Sequence, residues 1–339
     1  MYSIQATDAV LRSIFSFRRL RRLAVVVAVL FAGWAAPSRA AGAAQLELLQ
    51  ELRAQDVRVA SVAYRLTVAN RALCGNAVVP QLGFTLHNIE QYEVADRARI
   101  AAGFAPGTHA GVMAVVPLSP AAMAGLTADD ELISVNGRTL SPAASDPNDR
   151  PTRASVERSE GIILEEMKTG GVTLRVSGAG RLRDVRFVPE LGCTSNVELV
   201  PGGEVNAWAD GERVMISAGL LAQCITDADL ALVVAHELAH NILRHSEKLA
   251  AAGSSERKAL GLLGSGSAMM RETEEEADQL AIKLATAAAY DMGRADAFMS
   301  RLLVDRNEAP MAGTHPTADR RLKLLRAEIA VAREETPKR

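Results

Sequence analysis

One helix organises this chain, and its sequence is Asp227-Ala-Asp-Leu-Ala-Leu-Val-Val-Ala-His236-Glu237-Leu-Ala-His240-Asn-Ile-Leu-Arg-His245. Thr226 precedes it as a helix N-cap, and acidic residues occupy its first turn. The first half is almost entirely apolar, which predicts a buried helix. Side chains four residues apart lie on one face, so His236 and His240 can direct two imidazoles at one ion.

Two histidines are one ligand short of a hydrolytic zinc site, which typically has three protein ligands and a water. The missing ligand is predicted in a second helical stretch, Arg271-Glu-Thr-Glu-Glu-Glu-Ala-Asp-Gln-Leu, in which Glu274 and Asp278 share a face. We predict that Glu274 binds the metal and that Asp278 accepts the distal N–H of a ligating histidine. Glu237 is left as the general base.

Both motifs have simpler interpretations. An isolated HExxH is expected by chance in roughly one chain of this length in a hundred, and its histidines could be core residues that are only packed or hydrogen-bonded. Buried polar groups need partners, however, and three together would need several. An acidic run such as Glu272 to Glu276 is often a solvated helix face, and only its distance from the first motif makes Glu274 a candidate ligand.

The sequence resembles the gluzincin metallopeptidases related to the CAAX prenyl protease, the family that includes HtpX and BepA. The resemblance covers roughly residues 191 to 330, and in this family the glutamate four residues before the aspartate is the third zinc ligand, here Glu274. It implies a mainly helical zincin-type core with a small edge-strand sheet. The matching segments are His236-Glu-Leu-Ala-His240 with Arg244-His245, Glu274-x-x-Ala277-Asp278, Val205-Asn-Ala-Trp-Ala209 and Thr314-His-Pro-Thr-Ala-Asp-Arg320.

Two of these segments imply further roles. Asn206-Ala207 is similar to the edge strand along which the family binds an extended substrate by backbone hydrogen bonds. His315 lies in a segment similar to one that approaches the metal cleft in relatives, so it could stabilise an oxyanion or occupy the open zinc position. The alternative for His315 is a helix-start turn with Pro316 at the first helical position.

The N-terminus has the order of a secretory signal. Arg18-Arg-Leu-Arg-Arg22 precedes an apolar run ending at Ala36, and Pro37-Ser-Arg-Ala40 resembles a cleavage site. We predict a signal peptide over residues 1–40, cleaved after Ala40 or Ala41. The apolar run is shorter than the roughly 20 residues that span a bilayer, which disfavours an uncleaved anchor. We expect a periplasmic or secreted protein with no membrane span after cleavage.

Charge and cysteine content narrow the possible partners. A net charge of -2 and an isoelectric point near 6.3 give no basic field, so nucleic acid is not an expected partner. In an oxidising compartment, Cys74 and Cys193 are the favoured disulfide pair among three possible pairings, because they bracket an apparent domain. Cys224 is expected to be a buried free thiol.

Residues 80–189 between these cysteines resemble a PDZ domain. The matching segments are Gly111 to Leu126 and Asp129 to Gly137, with Leu82-Gly83-Phe84 as a candidate carboxylate-binding loop. Residues 155–167 are predicted as the groove helix and 172–188 as one or two strands, whereas 88–106 and 141–152 resemble extra loops. A groove of this kind binds an extended peptide or a free C-terminus, and the alternative is a small β domain used only as a spacer.

The remaining segments complete the predicted organisation. Residues 41–75 form an N-terminal helix packing on the core, and residues 191–339 form the metallopeptidase domain with a last helix from Ala318 to about Arg333. The segment 251–270, rich in glycine and serine, is expected to be an exposed connector or a mobile lid. The expected fold class is α+β, with a helical core and an inserted β domain.

These observations predict an exported zinc endopeptidase, with one zinc per chain, that acts on misfolded or unassembled envelope proteins. The quality-control role is implied by the family resemblance. The alternatives are a chaperone with a latent zinc site plugged by His315, and a scaffold that acts through the peptide groove alone.

Overall fold

The computed structural model describes residues 39–75, 77–104, 107–142, 150–251, 265–306 and 317–335. The predicted signal peptide lies outside these residues except for its last two positions, and His315 lies outside them entirely. The described chain combines helices with three sheets, which confirms the predicted α+β fold class.

The elements are numbered along the chain. The helices are α1 (Arg39–Ala69), α2 (Val94–Phe104), α3 (Pro120–Met123), α4 (Ala154–Met167), α5 (Ala218–Gln223), α6 (Asp227–Ile242), α7 (His245–Ala251), α8 (Ser265–Ala287), α9 (Ala295–Arg306) and α10 (Ala318–Glu335). The strands are β1 (Val78–Pro80), β2 (Phe84–His87), β3 (Gly111–Val115), β4 (Glu131–Val135), β5 (Arg138–Thr139), β6 (Val172–Gly178), β7 (Arg181–Phe187), β8 (Leu191–Cys193), β9 (Asn196–Val200), β10 (Ala207–Ala209) and β11 (Arg213–Ser217).

Residues 81–190, which we call the inserted module, form their own sheet. Its strand order is β2-β3-β4-β6-β7, with β5 paired to β4. The tight β4–β5 turn uses Asn136 and Gly137, and the β6–β7 turn uses Ala179 and Gly180, all with positive φ as two-residue hairpins require. Their buried side chains form a cluster separate from the rest of the chain.

The rest of the chain is a helical core around the three-stranded sheet β10-β11-β9. Strand β10 runs antiparallel to β11 and β9 runs parallel to it. The buried side chains of this sheet pack with those of α6, α8, α9 and α10, including Ile216, Leu238 and Phe298. Helix α6 crosses the centre of this core, so a side chain on its open face is held on a rigid support.

Helix α1 packs on both parts of the molecule. Near its start, Leu49 contacts Ile100 and Phe104 of the inserted module, and further along Val62 and Leu66 enter the helical core. The contact with Leu49 corrects one expectation. The predicted extra loop at 88–106 contains helix α2, because Ile100 and Phe104 are four residues apart and bury one apolar face against α1.

The inserted module leaves and rejoins the core at one place. Strand β1 pairs antiparallel with β8, and the backbone N–H of Gln81 donates to the carbonyl oxygen of Glu190 at 2.8 Å. A disulfide joins Cys74 and Cys193 beside this pair, and Cys224 is buried with a free thiol. The module is therefore tied to the core at both of its ends.

Two further findings concern the remaining segments. Residues 252–264 of the predicted connector lie outside the described residues, and residues 265–270 form the first turns of α8. Among the helices of the described ranges, none combines the length and apolar character needed to cross a membrane.

Candidate active site

Helix α6 is fixed at its start by a reciprocal cap. The Thr226 hydroxyl accepts from the backbone N–H of Asp229 at 3.1 Å, and the Asp229 carboxylate accepts from the backbone N–H of Thr226 at 3.0 Å. Ten residues further on, the helix presents His236 and His240 on one side, while its other faces are buried in the core. The first motif is thus placed on the buried helix that its sequence predicts.

Three predicted ligands converge at the contact between α6 and α8. The Nε2 atoms of His236 and His240 lie 3.2 Å apart, and each lies 3.6 Å from a carboxylate oxygen of Glu274. Their ligand atoms all lie within 4.8 Å of one another. Two nitrogens bound to a tetrahedral zinc ion at about 2.0–2.1 Å would be separated by about 3.3 Å, so the donor set fits such an ion.

His236 is held by a second carboxylate, which is itself held by an arginine. The Nδ1 atom of His236 lies 2.9 Å from Oδ1 of Asp278, and Arg321 donates two hydrogen bonds to the Asp278 carboxylate at 2.7 and 2.6 Å. With Nδ1 facing a carboxylate, the Nε2 lone pair of His236 is directed at the ligand cluster. Asp278 therefore lies beside His236 Nδ1, and its role as the acceptor of that N–H stays a prediction.

The two histidines differ in charge preference. Burial opposes a charge on His236, but Asp278 and Glu274 outweigh it and raise the pKa of His236 to about 10. Burial and the neighbouring His236 lower the pKa of His240 to about 3. Burial alone would raise the pKa of Asp278, yet Arg321 and His236 hold it below its usual range. Without a metal ion, the cluster therefore favours a proton on His236 over one on His240.

Glu237 follows the first ligand directly and is half-buried on α6. Its carboxylate contributes to the raised pKa of His236, so it lies within electrostatic reach of the ligand cluster. This position is compatible with the general-base role that the sequence predicts for Glu237, a role that stays a prediction.

The structure adds three residues to the site that sequence reasoning gave no role. Arg321 is buried and its Nη1 atom also lies 3.8 Å from Glu274, His245 contacts His240, and Glu276 contacts His245. His245 and Glu276 stand inside the motifs already noted, just after α6 and in the acidic run. Arg321 directly follows the segment that ends at Arg320, and no local pattern separates one arginine from the other.

The predicted substrate strand lies at the edge of the core sheet. Ala207 is the first residue of β10 and pairs with Ile216 of β11, while Asn206 exchanges hydrogen bonds with Ser217 just before the strand begins. Because β10 is last in the order β10-β11-β9, one of its edges has no strand partner within the described ranges. Strand β10 lies near α6, and its open edge could accept an extended chain.

The predicted peptide groove borders a cavity of about 340 Å³ between the inserted module and the core. Leu82, Gly83 and Phe84 all line it, as do Glu160 and Leu164 of α4. The cavity extends to Tyr64 and Thr67 of α1 and to residues 194–197 of the core. Strand β2, like β10, is last in its sheet and has one edge with no strand partner in the described chain, and its residues Phe84 and Thr85 line the cavity.

The site has two histidines on consecutive turns, a carboxylate from a second helix and a glutamate beside the first histidine, which is the arrangement typical of HExxH metallopeptidases. The comparisons with known proteins agree. Residues 188–267 and 257–329 match the model of peptidase family M48. The chain is similar to the mitochondrial metalloendopeptidase OMA1 of Schizosaccharomyces pombe, with 31% identity over 155 residues, 39% of this chain and 43% of that protein.

The chain thus covers less than half the length of this relative. The segments that match the family model contain His236, His240 and Glu274, so the part of the chain with the predicted metal ligands is similar to M48 peptidases.

Proposed function

We propose that the protein is an exported zinc endopeptidase that cleaves unfolded or unassembled envelope proteins. The observation that carries this proposal is the convergence of His236, His240 and Glu274. Glu237 lies on the same helix as the two histidines. A zinc ion held by His236, His240 and Glu274 would lower the pKa of a water and polarise the peptide carbonyl. The residues around it account for the remaining steps.

Glu237 takes the proton of the attacking water and returns it to the leaving amine. Asp278 and Arg321 keep His236 oriented with its Nε2 lone pair directed at the cluster. The free edge of β10 holds the substrate in extended form by backbone hydrogen bonds, which gives affinity with little preference for sequence. Such binding suits an enzyme whose substrates are unfolded chains.

The inserted module supports a second part of the proposal, which is recognition of peptides in a PDZ-like groove. Its cavity has an open strand edge on one side and Leu164 of α4 on the other, the arrangement by which a strand is added to a sheet. Export is proposed from the basic, apolar and small-residue order of residues 1–40.

The proposal is tested by measuring zinc content and cleavage of an unfolded protein such as casein, using purified wild type and Glu237→Gln. We expect one zinc per chain in both and cleavage only in wild type, because the amide cannot act as the base. Glu247→Gln is the matched control, since Glu247 is exposed on α7 and pairs with Arg244 just before that helix. Full cleavage by Glu237→Gln would contradict the assignment of the base.

Peptide binding without cleavage is the alternative function, and the same experiment separates it. A wild-type protein that binds zinc but cleaves only after His315→Ala would be a self-inhibited peptidase. A protein that holds no zinc, yet binds unfolded peptides, would act through the groove. Mass spectrometry of the N-terminus after expression in a Gram-negative host tests export, which predicts a chain starting at Ala41 or Gly42.

A further inference from the structure

His245 lies against the metal ligand His240, although the two residues belong to different helices. Helix α6 ends at Ile242, and Arg244 adopts a positive φ of 56° that reverses the chain before α7 begins at His245. The His245 side chain is buried, and its ring packs edge-on against the ring of His240 with centroids 4.9 Å apart. The turn therefore places one imidazole directly behind another.

The polar atoms of these rings form a continuous chain of contacts. His240 Nδ1 lies 3.0 Å from His245 Nδ1, and His245 Nε2 lies 3.0 Å from a carboxylate oxygen of Glu276. A carboxylate accepts, so His245 carries its hydrogen on Nε2 and its Nδ1 atom is an acceptor in the neutral ring. His240 must then donate from Nδ1, which leaves the Nε2 lone pair of His240 free for a metal ion.

We propose that His245 and Glu276 form a positioning pair that fixes the tautomer and orientation of the metal ligand His240. The inference rests on the proposed metal site and deepens it. Helix α8 then serves the metal site at three positions: Glu274 contacts both histidines, Asp278 contacts His236 directly, and Glu276 acts on His240 through His245. Each histidine thus has its own support, one direct and one through a second imidazole.

The opposite tautomer does not satisfy the same contacts. If His245 donated from Nδ1, its Nε2 lone pair would face the Glu276 carboxylate unless the ring were also protonated there. His240 would then carry its hydrogen on Nε2, which points at His236 Nε2 only 3.2 Å away and blocks ligation. The contact between His245 and Glu276 is what selects the ligating form.

The test measures zinc affinity of the full chain by competition with a chromophoric chelator at fixed pH, a readout that does not depend on proteolysis. In His245→Leu the acceptor for His240 is lost, and we expect zinc to bind about 10–100-fold more weakly. In His245→Asn the amide oxygen occupies the place of Nδ1, so most of the affinity should return. Glu276→Ala should weaken binding less than His245→Leu does.

Glu275→Ala is the matched control, because Glu275 belongs to the same acidic run but pairs with Arg320. The melting temperature of each metal-free variant separates a general packing defect from a loss of positioning. The proposal is overturned if His245→Leu binds zinc as tightly as wild type, or if the Asn and Leu variants are equally impaired. Should His245→Leu fail to fold, wild-type affinity in Glu276→Ala overturns it.

These outcomes are distinct from a failure of the proposed function. If the wild-type protein binds zinc but does not cleave, the proposed function fails and the positioning pair can still be tested by zinc affinity. If the wild-type protein binds no zinc, both the proposed function and the positioning pair are contradicted.

Discussion

Arg321 is a buried cation on which two carboxylates depend. It donates two hydrogen bonds to Asp278 and lies 3.8 Å from Glu274. Removing one partner of a buried ion pair typically costs about 3–5 kcal/mol, because the other charge is left unpaired. We expect Arg321→Leu to destabilise the metal-free protein by about this amount, and the zinc-loaded protein by less, because the ion supplies positive charge nearby.

Urea unfolding with and without zinc measures this difference. Arg320→Leu is the control, because Arg320 is the neighbouring arginine but lies exposed beside Glu275, and we expect it to change stability little. Equal effects of the two substitutions on the free energy of unfolding would show that the buried contact between Arg321 and Asp278 does not stabilise the site.

Glu160 is a half-buried acid in the wall of the groove. Burial raises its pKa to about 7, although Arg153 nearby acts in the opposite direction. The folded protein therefore binds a proton at Glu160 more tightly than the unfolded chain does, so stability falls as the pH rises from about 4.5 to 7. We expect Glu160→Gln to remove this loss and to stabilise the protein above pH 7, on the order of 2–3 kcal/mol.

Below about pH 4.5 the Glu160→Gln variant and wild type should have the same free energy of unfolding, since the acid is then protonated in both states. Urea unfolding across this pH range tests the prediction. Glu165→Gln, an exposed change on the same helix, should show no such gain in stability above pH 7, because Lys168 holds the pKa of Glu165 below its usual range and not above it. A constant difference between Glu160→Gln and wild type at every pH would contradict the assignment.

Helices α6 and α8 show which parts of the site could be predicted from local sequence patterns. The cap at Thr226, the apolar run and the four-residue spacing of the histidines all belong to one stretch of chain, so the helix and its ligand face could be predicted. In α8 the same spacing indicated Glu274 and Asp278. The contact of Arg321 with Asp278 could not be predicted, because it depends on how α10 packs across α8.

The acidic run illustrates the limit within a single helix. Its pattern suits a solvated face, and Glu275 does bind an exposed arginine, yet Glu276 contacts the buried His245. Which carboxylate turns inward is decided by the chain reversal at Arg244, which lies far away in sequence. Helix α2 was missed for a similar reason, because its stability comes from packing on Leu49 of α1.

Strand β2 and helix α4 form the two walls of the proposed groove. A charged side chain at Leu164 would fill the cavity and place an unpaired cation beside the open strand edge. We expect Leu164→Arg to reduce binding of a fluorescent unfolded peptide mixture by at least about tenfold, which corresponds to about 1.4 kcal/mol. Leu182→Arg is the control, since Leu182 is exposed on β7 of the same module and does not line the cavity.

Equal binding by the two variants would place the peptide site outside the groove. Cleavage of casein by Leu164→Arg separates the two functions in the same sample. If β10 alone holds the scissile segment, Leu164→Arg should still cleave casein. If the groove also helps to capture the substrate, Leu164→Arg should cleave with a higher KM.

The whole molecule is organised around one junction. The chain leaves the core at β1 and returns at β8, these strands pair with each other, and the Cys74–Cys193 disulfide closes the junction. The buried side chains of the inserted module and of the helical core form separate clusters. The predicted domain division stays a prediction, but this arrangement makes it testable, because the module can be removed without breaking the core sheet.

Replacing residues 82–189 with Asn-Gly would join Gln81 to Glu190 through a two-residue turn and convert β1 and β8 into a hairpin. The change exposes Leu49, whose partners lie in the module, but leaves the metal ligands and β10 in place. We expect the shortened chain to fold, bind one zinc and cleave casein, while losing peptide binding in the groove. Zinc analysis, circular dichroism and the cleavage assay measure these properties, with Glu237→Gln in the shortened chain as the inactive control. An unfolded product would show that the module is part of the catalytic core, because its contacts with α1 would then be needed to hold α6 and α8 together.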